Sequence, residues 1–222
     1  MVQTIRTKAF VFDLDGTLID TTALVEQFWR DFALENDLDG EKILATSHGR
    51  TTLATLSRWT PHKATQQVVD EYERKIADKK EGVDVLPGVT ALLDKIPLGR
   101  MAIYTAATHL MATKRLQQCN ITIPNVLETA SSVSKGKPDP EGYLACAKRL
   151  GVDPKDCLVF EDAPSGVQAA RAAGMTVIAC LTTHSREKLN EAGAHFLVNL
   201  LSDVDVCLLS DGSFQVTLSK IQ

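Results

Sequence analysis

Two acidic residues, Asp13 and Asp15, lie in a segment whose residue types are suited to covalent chemistry on a bound substrate. The segment reads FDLDGTL over residues 12–18 and follows an apolar run. Two carboxyl groups this close can divide a reaction, one attacking as a carboxylate while the other moves a proton. Gly16 permits a backbone turn that a side chain would hinder. An acidic turn that merely ends a strand is the plain alternative, and the full segment favours chemistry.

A second acidic pair, Glu161 and Asp162, follows the apolar run 158–160. In open parallel sheets, ligands bind beyond the carboxyl ends of the strands, so Asp13 and Asp162 would meet at one edge. Two carboxylates brought together repel each other unless a cation lies between them. Mg²⁺ prefers such oxygen ligands, and we therefore predict a magnesium site there. The alternative is that these acids only favour the N-terminus of the following helix.

Groups that could hold a phosphate occur at two other strand ends or loops. Lys137 precedes Pro138, which restricts it to an extended or turn conformation suited to pointing inward. Its ammonium could hold a phosphoryl oxygen and offset the carboxylates; a solvated basic turn is the alternative. Thr105 ends another apolar run and could donate to a phosphate together with the amide of Ala106. By itself a threonine at a strand end is unremarkable.

Two further candidates, Arg50 and His48, lie in a segment of helical character. The guanidinium of Arg50 matches phosphate geometry and could reach down to a substrate. His48 could bind a hydroxyl or move a proton. For His48 the alternative is a polar position near a helix end.

The elements that must position these residues predict an α/β fold. Continuous apolar runs are typical of parallel strands covered on both faces. They occur at 9–12, 101–104, 158–160 and 176–180, with a weaker copy at 195–198. Helical segments at 140–150, 165–173 and 185–192 alternate with them and stop at glycines. We therefore predict a core with a Rossmann-like, doubly wound parallel sheet.

A helical block interrupts this alternation after the first strand. Helical spacing occurs at 21–38, 51–59 and 63–80, without a convincing strand among them. We predict an inserted helical cap domain at residues 20–85, and an α/β core domain at 1–19 and 86–222. A helix is expected at 89–95, after the return. The tail, Ser213 to Lys220, is expected to form a short edge strand.

Composition narrows the class of partner. The 222 residues carry a formal net charge of −4 with no basic stripe, which argues against nucleic acid. No apolar run is long enough to span a bilayer, so no membrane partner is expected. The five scattered cysteines suit buried thiols in a reducing compartment. We expect a cytoplasmic monomer that acts on a small molecule.

In order and rough spacing, these motifs resemble the haloacid dehalogenase superfamily over nearly the whole chain. Residues 20–85 are similar to the small cap of its β-phosphoglucomutase-like branch. Within that branch, residues 48–50, 136–143 and 160–164 resemble sugar- and polyol-phosphate phosphatases, including 2-deoxyglucose-6-phosphate and glycerol-phosphate phosphatases.

The resemblance implies roles for the site residues. Asp13 would be the nucleophile, and Asp15 the general acid and then base. Asp13, the backbone carbonyl of Asp15, and Asp162 would hold Mg²⁺, with Glu161 in or near its shell. Thr105 and Lys137 would bind the phosphoryl group that is transferred. The activity expected is hydrolysis of a small sugar or polyol phosphate through an aspartyl phosphate.

Three alternatives to hydrolysis share some or all of these motifs. A phosphomutase shares every core motif, although residues 24–27 lack the histidine or lysine that mutases of this branch carry there. A dehalogenase is disfavoured, because those relatives lack the second acid that Asp15 provides. A non-catalytic sensor of phosphorylated metabolites would keep the pocket, but the complete acid set with Lys137 argues against it.

Overall fold

The computed structural model describes residues 3–47 and 49–219 and contains strands and helices in regular alternation over its second half. The strands are β1 (Gln3–Thr7), β2 (Ala9–Phe12), β3 (Ile19–Asp20), β4 (Asp84–Val85), β5 (Met101–Tyr104), β6 (Val126–Glu128), β7 (Cys157–Glu161), β8 (Thr176–Cys180), β9 (Phe196–Val198), β10 (Val204–Leu208) and β11 (Phe214–Leu218). The helices are α1 (Thr22–Glu35), α2 (Gly40–Ser47), α3 (Thr52–Trp59), α4 (Gln66–Ala77), α5 (Val89–Leu93), α6 (His109–Gln118), α7 (Glu141–Leu150), α8 (Pro164–Ala172) and α9 (Arg186–Glu191). Short 3-10 helices occur at Pro61–Lys63, Leu98–Arg100, Pro154–Asp156 and Leu201–Asp203.

Six parallel strands form the central sheet in the order β6-β5-β2-β7-β8-β9. The chain leaves β2 toward β5 and β6 on one side and later fills the other side with β7, β8 and β9. Phe12 is in register with Ile103 of β5 and with Phe160 of β7. These three central strands therefore end at the same level. The predicted doubly wound parallel sheet with a helical insertion is confirmed.

Both faces of this sheet are covered, which explains the continuous apolar runs. Phe10 and Phe12 point to one face, toward α5 and α6, whereas Ala9 and Val11 point to the other, toward α7 and α8. Successive residues of a strand point to opposite faces of the sheet. A strand that is covered on both faces therefore has no position exposed to water for a polar residue. The stacked rings of Phe12 and Phe160, 5.0 Å apart, fix adjacent strands at the site end of the sheet.

The helical insertion, α1–α4, has an apolar cluster of its own. Trp29 and Phe32 of α1 pack there with Ile43 of α2, Leu56 of α3 and Val69 of α4. The short strands β3 and β4 pair in antiparallel fashion where the chain enters and leaves the insertion. The insertion is thus a packed unit joined to the sheet by two adjacent segments.

Some elements differ from the sequence predictions. The tail strand β11 was predicted at an edge, and that is wrong: it lies between β1 and β10 in a separate antiparallel sheet. Its residues Phe214, Val216 and Leu218 are buried against the main core, and β1 and β10 pair with its two edges. Helix α6 was not predicted, because Arg115 on its buried face interrupts the apolar period.

Within residues 3–47 and 49–219, each helix is too short or too polar to cross a bilayer.

Gly88, directly after the return from the insertion, provides a test of the fold. Its φ of +89° is left-handed, and a Cβ there would overlap the backbone of Ser202. Gly88→Ala should therefore lower the free energy of unfolding by about 3 kcal/mol or more, since backbone strain and overlap add. Urea unfolding followed by circular dichroism measures this change.

Gly174 is the matched control for this substitution. It has a similar φ of +80°, but a Cβ there would meet no atom within 4 Å. Gly174→Ala should lower the free energy of unfolding by only about 1 kcal/mol, which is the strain term alone. Equal losses in the two variants would contradict the close approach of Gly88 to Ser202.

Candidate active site

Three predicted site residues lie at one edge of the sheet. Asp13 follows β2, Thr105 follows β5 and Asp162 follows β7, and these strands are neighbours. The amide of Asp13 donates to the carbonyl of Phe160 at 2.9 Å, which continues the β2–β7 ladder to the strand ends. All three side chains are buried, with 5%, 1% and 2% of their residue surfaces exposed, respectively. The structure therefore brings them together as the sequence predicts.

Lys137 lies beside these acids, in the segment that leads into α7. Its ammonium is an ion-pair partner of Asp13 and of Glu161, the latter at 2.5 Å. The rings of Tyr104 and Tyr143 flank the ammonium, with centroids at 5.0 and 5.6 Å. Burial opposes its charge, but the charges of Asp13 and Glu161 outweigh burial and raise the pKa of Lys137. The group is therefore a fixed, protonated cation.

Glu161 uses both of its carboxylate oxygens within the protein. Oε1 accepts from Lys137 and from the hydroxyl of Tyr143 at 2.9 Å, and Oε2 accepts from the amides of Asp162 and Ala163, both at 2.9 Å. These four donors hold Glu161 as a support for Lys137. A place for Glu161 in or near a metal shell stays a prediction, and these contacts favour the position near it.

The acids at this edge carry more negative charge than Lys137 neutralises. Burial raises the pKa of Asp13 well above its usual value. The charge of Lys137 lowers this pKa, whereas the charges of Glu161 and Asp162 raise it further. Burial raises the pKa of Asp162 to about 8, and the charge of Glu161 adds to it. Three buried carboxyl groups facing one lysine can share a site as anions only with a further cation.

The donor set fits a hard divalent cation. Across residues 3–47 and 49–219, no three Asp, Glu, His or Cys side chains form a group that could hold a metal ion. The predicted site is of another kind, because it combines the carboxylates of Asp13 and Asp162 with the backbone carbonyl of Asp15. Oxygen ligands of this kind, completed by water and substrate oxygens, are those that Mg²⁺ takes.

The loop after β2 packs closely against Asp162. Gly16 has a φ of +90°, and a Cβ there would overlap the Asp162 carboxylate. The Thr17 hydroxyl lies 3.4 Å from Asp162 Oδ1, and the Thr183 hydroxyl donates to Oδ2. The glycine is thus required both by the turn and by the approach of the second acid.

Asp15 is half-buried and faces a cavity of about 120 Å³. The hydroxyl of Thr21 donates to its Oδ1 at 2.8 Å, and that of Thr105 lies 3.5 Å from its Oδ2. Burial raises the pKa of Asp15, although these hydrogen bonds oppose the change. Asp13 and Ala106 line the same cavity. The two acids of the first motif therefore face one enclosed space.

The helical insertion closes the other side of this cavity. Its apolar wall includes Phe28 and Trp29 of α1 and Tyr72 of α4, and Arg50 is exposed and lines the same space. The structure thus places Arg50 where it was predicted to meet a substrate. His48, also predicted to contact substrate, lies outside the described residues.

Several side chains at the site were missed by sequence reasoning. Thr183 could have been found, because it follows β8 at the same sheet edge. Tyr104 and Tyr143 look like ordinary core positions, and only their contact with Lys137 distinguishes them. Glu73 and Arg115 also line the cavity, from α4 and α6, but no spacing in the sequence marks them.

Known proteins with similar sequences or folds include two phosphatases and one solved structure. Hexitol phosphatase A of Escherichia coli is 37% identical over 191 residues, covering 84% of this chain and 88% of that protein. Glycerol-1-phosphate phosphohydrolase 2 of Saccharomyces cerevisiae is 34% identical, covering 87% and 82%. The crystal structure of a putative β-phosphoglucomutase from Thermotoga maritima is 28% identical, covering 88% and 95%, with a TM-score of 0.65. These are proteins to which this chain is similar.

A protein family also matches most of this chain. Residues 7–174 match the haloacid dehalogenase-like hydrolases, and this range contains β2, β5, β7, the helical insertion and Lys137. With its parallel sheet and its acids at the strand ends, the chain belongs to the haloacid dehalogenase-like hydrolase family, and it is a phosphatase of that family.

Proposed function

We propose that this phosphatase uses Mg²⁺ to hydrolyse a small sugar or polyol phosphate through a phosphorylated Asp13. The observation that carries the proposal is the contact of the buried Lys137 with Asp13 beside a cavity that Asp15 and Thr105 also line. The proposed nucleophile and a second acid thus face one cavity, and a fixed cation contacts the nucleophile from behind it. The names of the two relatives, a hexitol phosphatase and a glycerol-1-phosphate phosphohydrolase, support the substrate class.

The proposed reaction is two in-line displacements at phosphorus. An Asp13 oxygen attacks phosphorus while the bond to the ester oxygen breaks, and Asp15 gives a proton to the departing alkoxide. Asp15 then takes a proton from water, whose oxygen attacks phosphorus and releases Asp13 as a carboxylate. Lys137 and Thr105 stabilise charge on the phosphoryl oxygens in both steps. The hydroxyl of Thr21 holds the Asp15 carboxyl in place between the steps.

Asp13, Asp162 and the carbonyl of Asp15 would hold the metal ion, and Glu161 would act near it through Lys137. When bound, Mg²⁺ neutralises charge on the phosphoryl oxygens and orients the group for attack. The excess of buried negative charge at this edge supports a cation there. Thr183 and Thr17 orient Asp162 toward that position.

The helical insertion would select the leaving group. We assign residues 20–85 as a cap domain on a core of residues 1–19 and 86–222. Its wall of aromatic rings excludes water, while Arg50 and, by the sequence prediction, His48 would contact the polar part of the substrate. A cytoplasmic monomer remains the expected setting.

Substitution of the nucleophile tests the chemistry. Asp13→Asn should lower kcat by about 10³-fold or more, because an amide cannot form the acyl phosphate. The melting temperature should not fall, since burial and neighbouring acids disfavour the Asp13 charge. Phosphate release and differential scanning calorimetry measure the two effects. Asp156→Asn, at the opposite end of β7, is the control and should keep full activity; retained turnover in Asp13→Asn would refute the nucleophile assignment.

Metal removal tests the cation. Treatment with a chelator should abolish phosphate release, and added Mg²⁺ should restore it. Mg²⁺ should also raise the melting temperature, because it neutralises buried acids, and this rise should shrink in Asp162→Asn. Undiminished activity after exhaustive chelation, or an equal Mg²⁺ effect on the melting temperature in Asp162→Asn, would contradict the proposed ligands.

A substrate panel tests the specificity and separates the alternatives. With Mg²⁺ present, hexitol, glycerol and deoxyhexose phosphates should be ranked by kcat/KM, and the preferred ester should exceed a generic aryl phosphate by about 10-fold or more. Inorganic phosphate should be the product. Formation of an isomeric sugar phosphate would indicate a phosphomutase, and binding without turnover of any ester would indicate a sensor.

A further inference from the structure

Helix α4 of the insertion contacts helix α6 of the core through a buried carboxylate. Glu73, on α4, has 5% of its surface exposed. Its Oε2 accepts from the backbone amide of Thr108 at 3.2 Å and also from the Thr108 hydroxyl. Its Oε1 accepts from Thr52 at 3.0 Å within the insertion. One side chain of the insertion thus binds both donors of the residue that precedes α6.

These contacts satisfy the beginning of α6. The first amides of a helix lack partners inside it, and negative charge is favourable there because of the helix dipole. Thr108 is the N-cap residue, and its hydroxyl oxygen accepts from the amide of Met111 at 3.4 Å. Glu73 therefore completes the N-terminus of α6 from a different part of the chain.

The segment that Glu73 holds is the end of the proposed phosphate loop, residues 105–108. Within this loop, the Thr105 hydroxyl accepts from the amide of Ala107 at 3.0 Å. The carbonyl of Ala107 accepts from the amide of Ala130 at 2.9 Å. Core groups thus accept or donate along the first part of the loop, whereas both hydrogen-bond donors of the last residue, Thr108, go to Glu73 in the insertion.

A second contact secures the same pair of helices further along. Arg115 of α6 is buried and donates to the carbonyls of Ile76 and Lys79, at 2.8 and 2.6 Å, where α4 ends. A guanidinium at the C-terminus of a helix is favoured by the dipole, as a carboxylate is at the N-terminus. With Arg115 fixing the end of α4, Glu73 is held in register with Thr108.

The charge of Glu73 is costly where it lies. In the part of the chain that the structure describes, Glu73 has no ion-pair partner, and burial raises its pKa despite the hydrogen bonds from Thr108 and Thr52. A buried carboxylate without a cation lowers stability, so packing alone does not account for an acid at this position. A glutamine would keep an oxygen acceptor for Thr108 without the charge, so this substitution separates the contact from the charge.

We propose that Glu73 is a positioning residue, which orders the phosphate loop 105–108 by holding Thr108 from the insertion. Docking of the insertion and placement of Thr108 are then one event, so the end of the phosphate loop is ordered only when the insertion covers the cavity. The inference rests on the proposed phosphatase reaction and adds a residue that does not touch the reacting atoms.

Three variants test this role on the full-length protein with Mg²⁺ and the best ester of the panel. Glu73→Ala should lower kcat by about 10-fold or more while KM changes by less than about 3-fold, because the loop acts mainly in the transition state. Glu73→Gln should keep kcat within about 3-fold, since an amide oxygen can accept from Thr108. Glu71→Ala, on the exposed side of α4 and paired with Lys75, is the matched control and should equal the wild type.

A structural readout accompanies the kinetics. Hydrogen exchange of the segment 105–112 should be faster in Glu73→Ala than in Glu73→Gln or Glu71→Ala, at equal melting temperatures or after correction for them. If Glu73→Ala does not fold, Thr108→Ala removes the hydroxyl that donates to Glu73 from the core side. This variant should also lower kcat.

The outcomes separate this inference from the proposed function. Wild-type protein without turnover of any phosphate ester would end the proposed function. Active wild type with unchanged kcat in folded Glu73→Ala, or in Thr108→Ala, would overturn the positioning role alone. Equal losses in Glu73→Ala and Glu73→Gln would overturn it too, because the effect would then follow the charge rather than the contact with Thr108.

Discussion

The site depends on one buried interaction, that of Lys137 with Asp13 and Glu161. Three strands end at the same level, and each delivers polar groups into a space from which water is largely excluded. Carboxylates at such a place repel each other and resist ionisation. Lys137 is stabilised there by two acids and two aromatic rings, and it relieves part of the repulsion. The remaining excess of negative charge supports the proposal of a divalent cation beside Asp13.

The rest of the core serves to hold these groups at fixed distances. The stacked rings of Phe12 and Phe160 lie one residue before Asp13 and Glu161, so core packing continues up to the polar groups. Glu161 is itself held by the Tyr143 hydroxyl and by two backbone amides. Charges with little freedom to move need little reorganisation when charge develops on a bound phosphoryl group, and this favours catalysis.

Sequence reasoning identified the parts of the site that arise from strand order. Asp13, Thr105 and Asp162 follow apolar runs, and strand ends in a parallel sheet share an edge, so their meeting could be predicted without coordinates. Lys137 was found through the proline that follows it. The positions of these residues could be predicted because the local sequence determines where each of them lies.

The remaining residues depend on contacts between distant elements. Glu73 and Arg115 are charged residues in helices, and from the sequence each would be placed on a solvated face. Both are buried because α4 lies along α6, a packing that neither helix encodes alone. For the same reason α6 was not predicted as a helix, and β11 was assigned to an edge although two partners, β1 and β10, flank it.

The short pair β3 and β4 has a consequence for how such enzymes diversify. Both crossings between sheet and insertion lie side by side, and Asp15 forms a bridge with Ile19 at the first of them. A whole insertion could therefore be exchanged between relatives by two nearby joins without altering any catalytic strand. Glu73 limits that modularity, because a grafted insertion that lacks a carboxylate or amide facing Thr108 would leave the start of α6 without a partner.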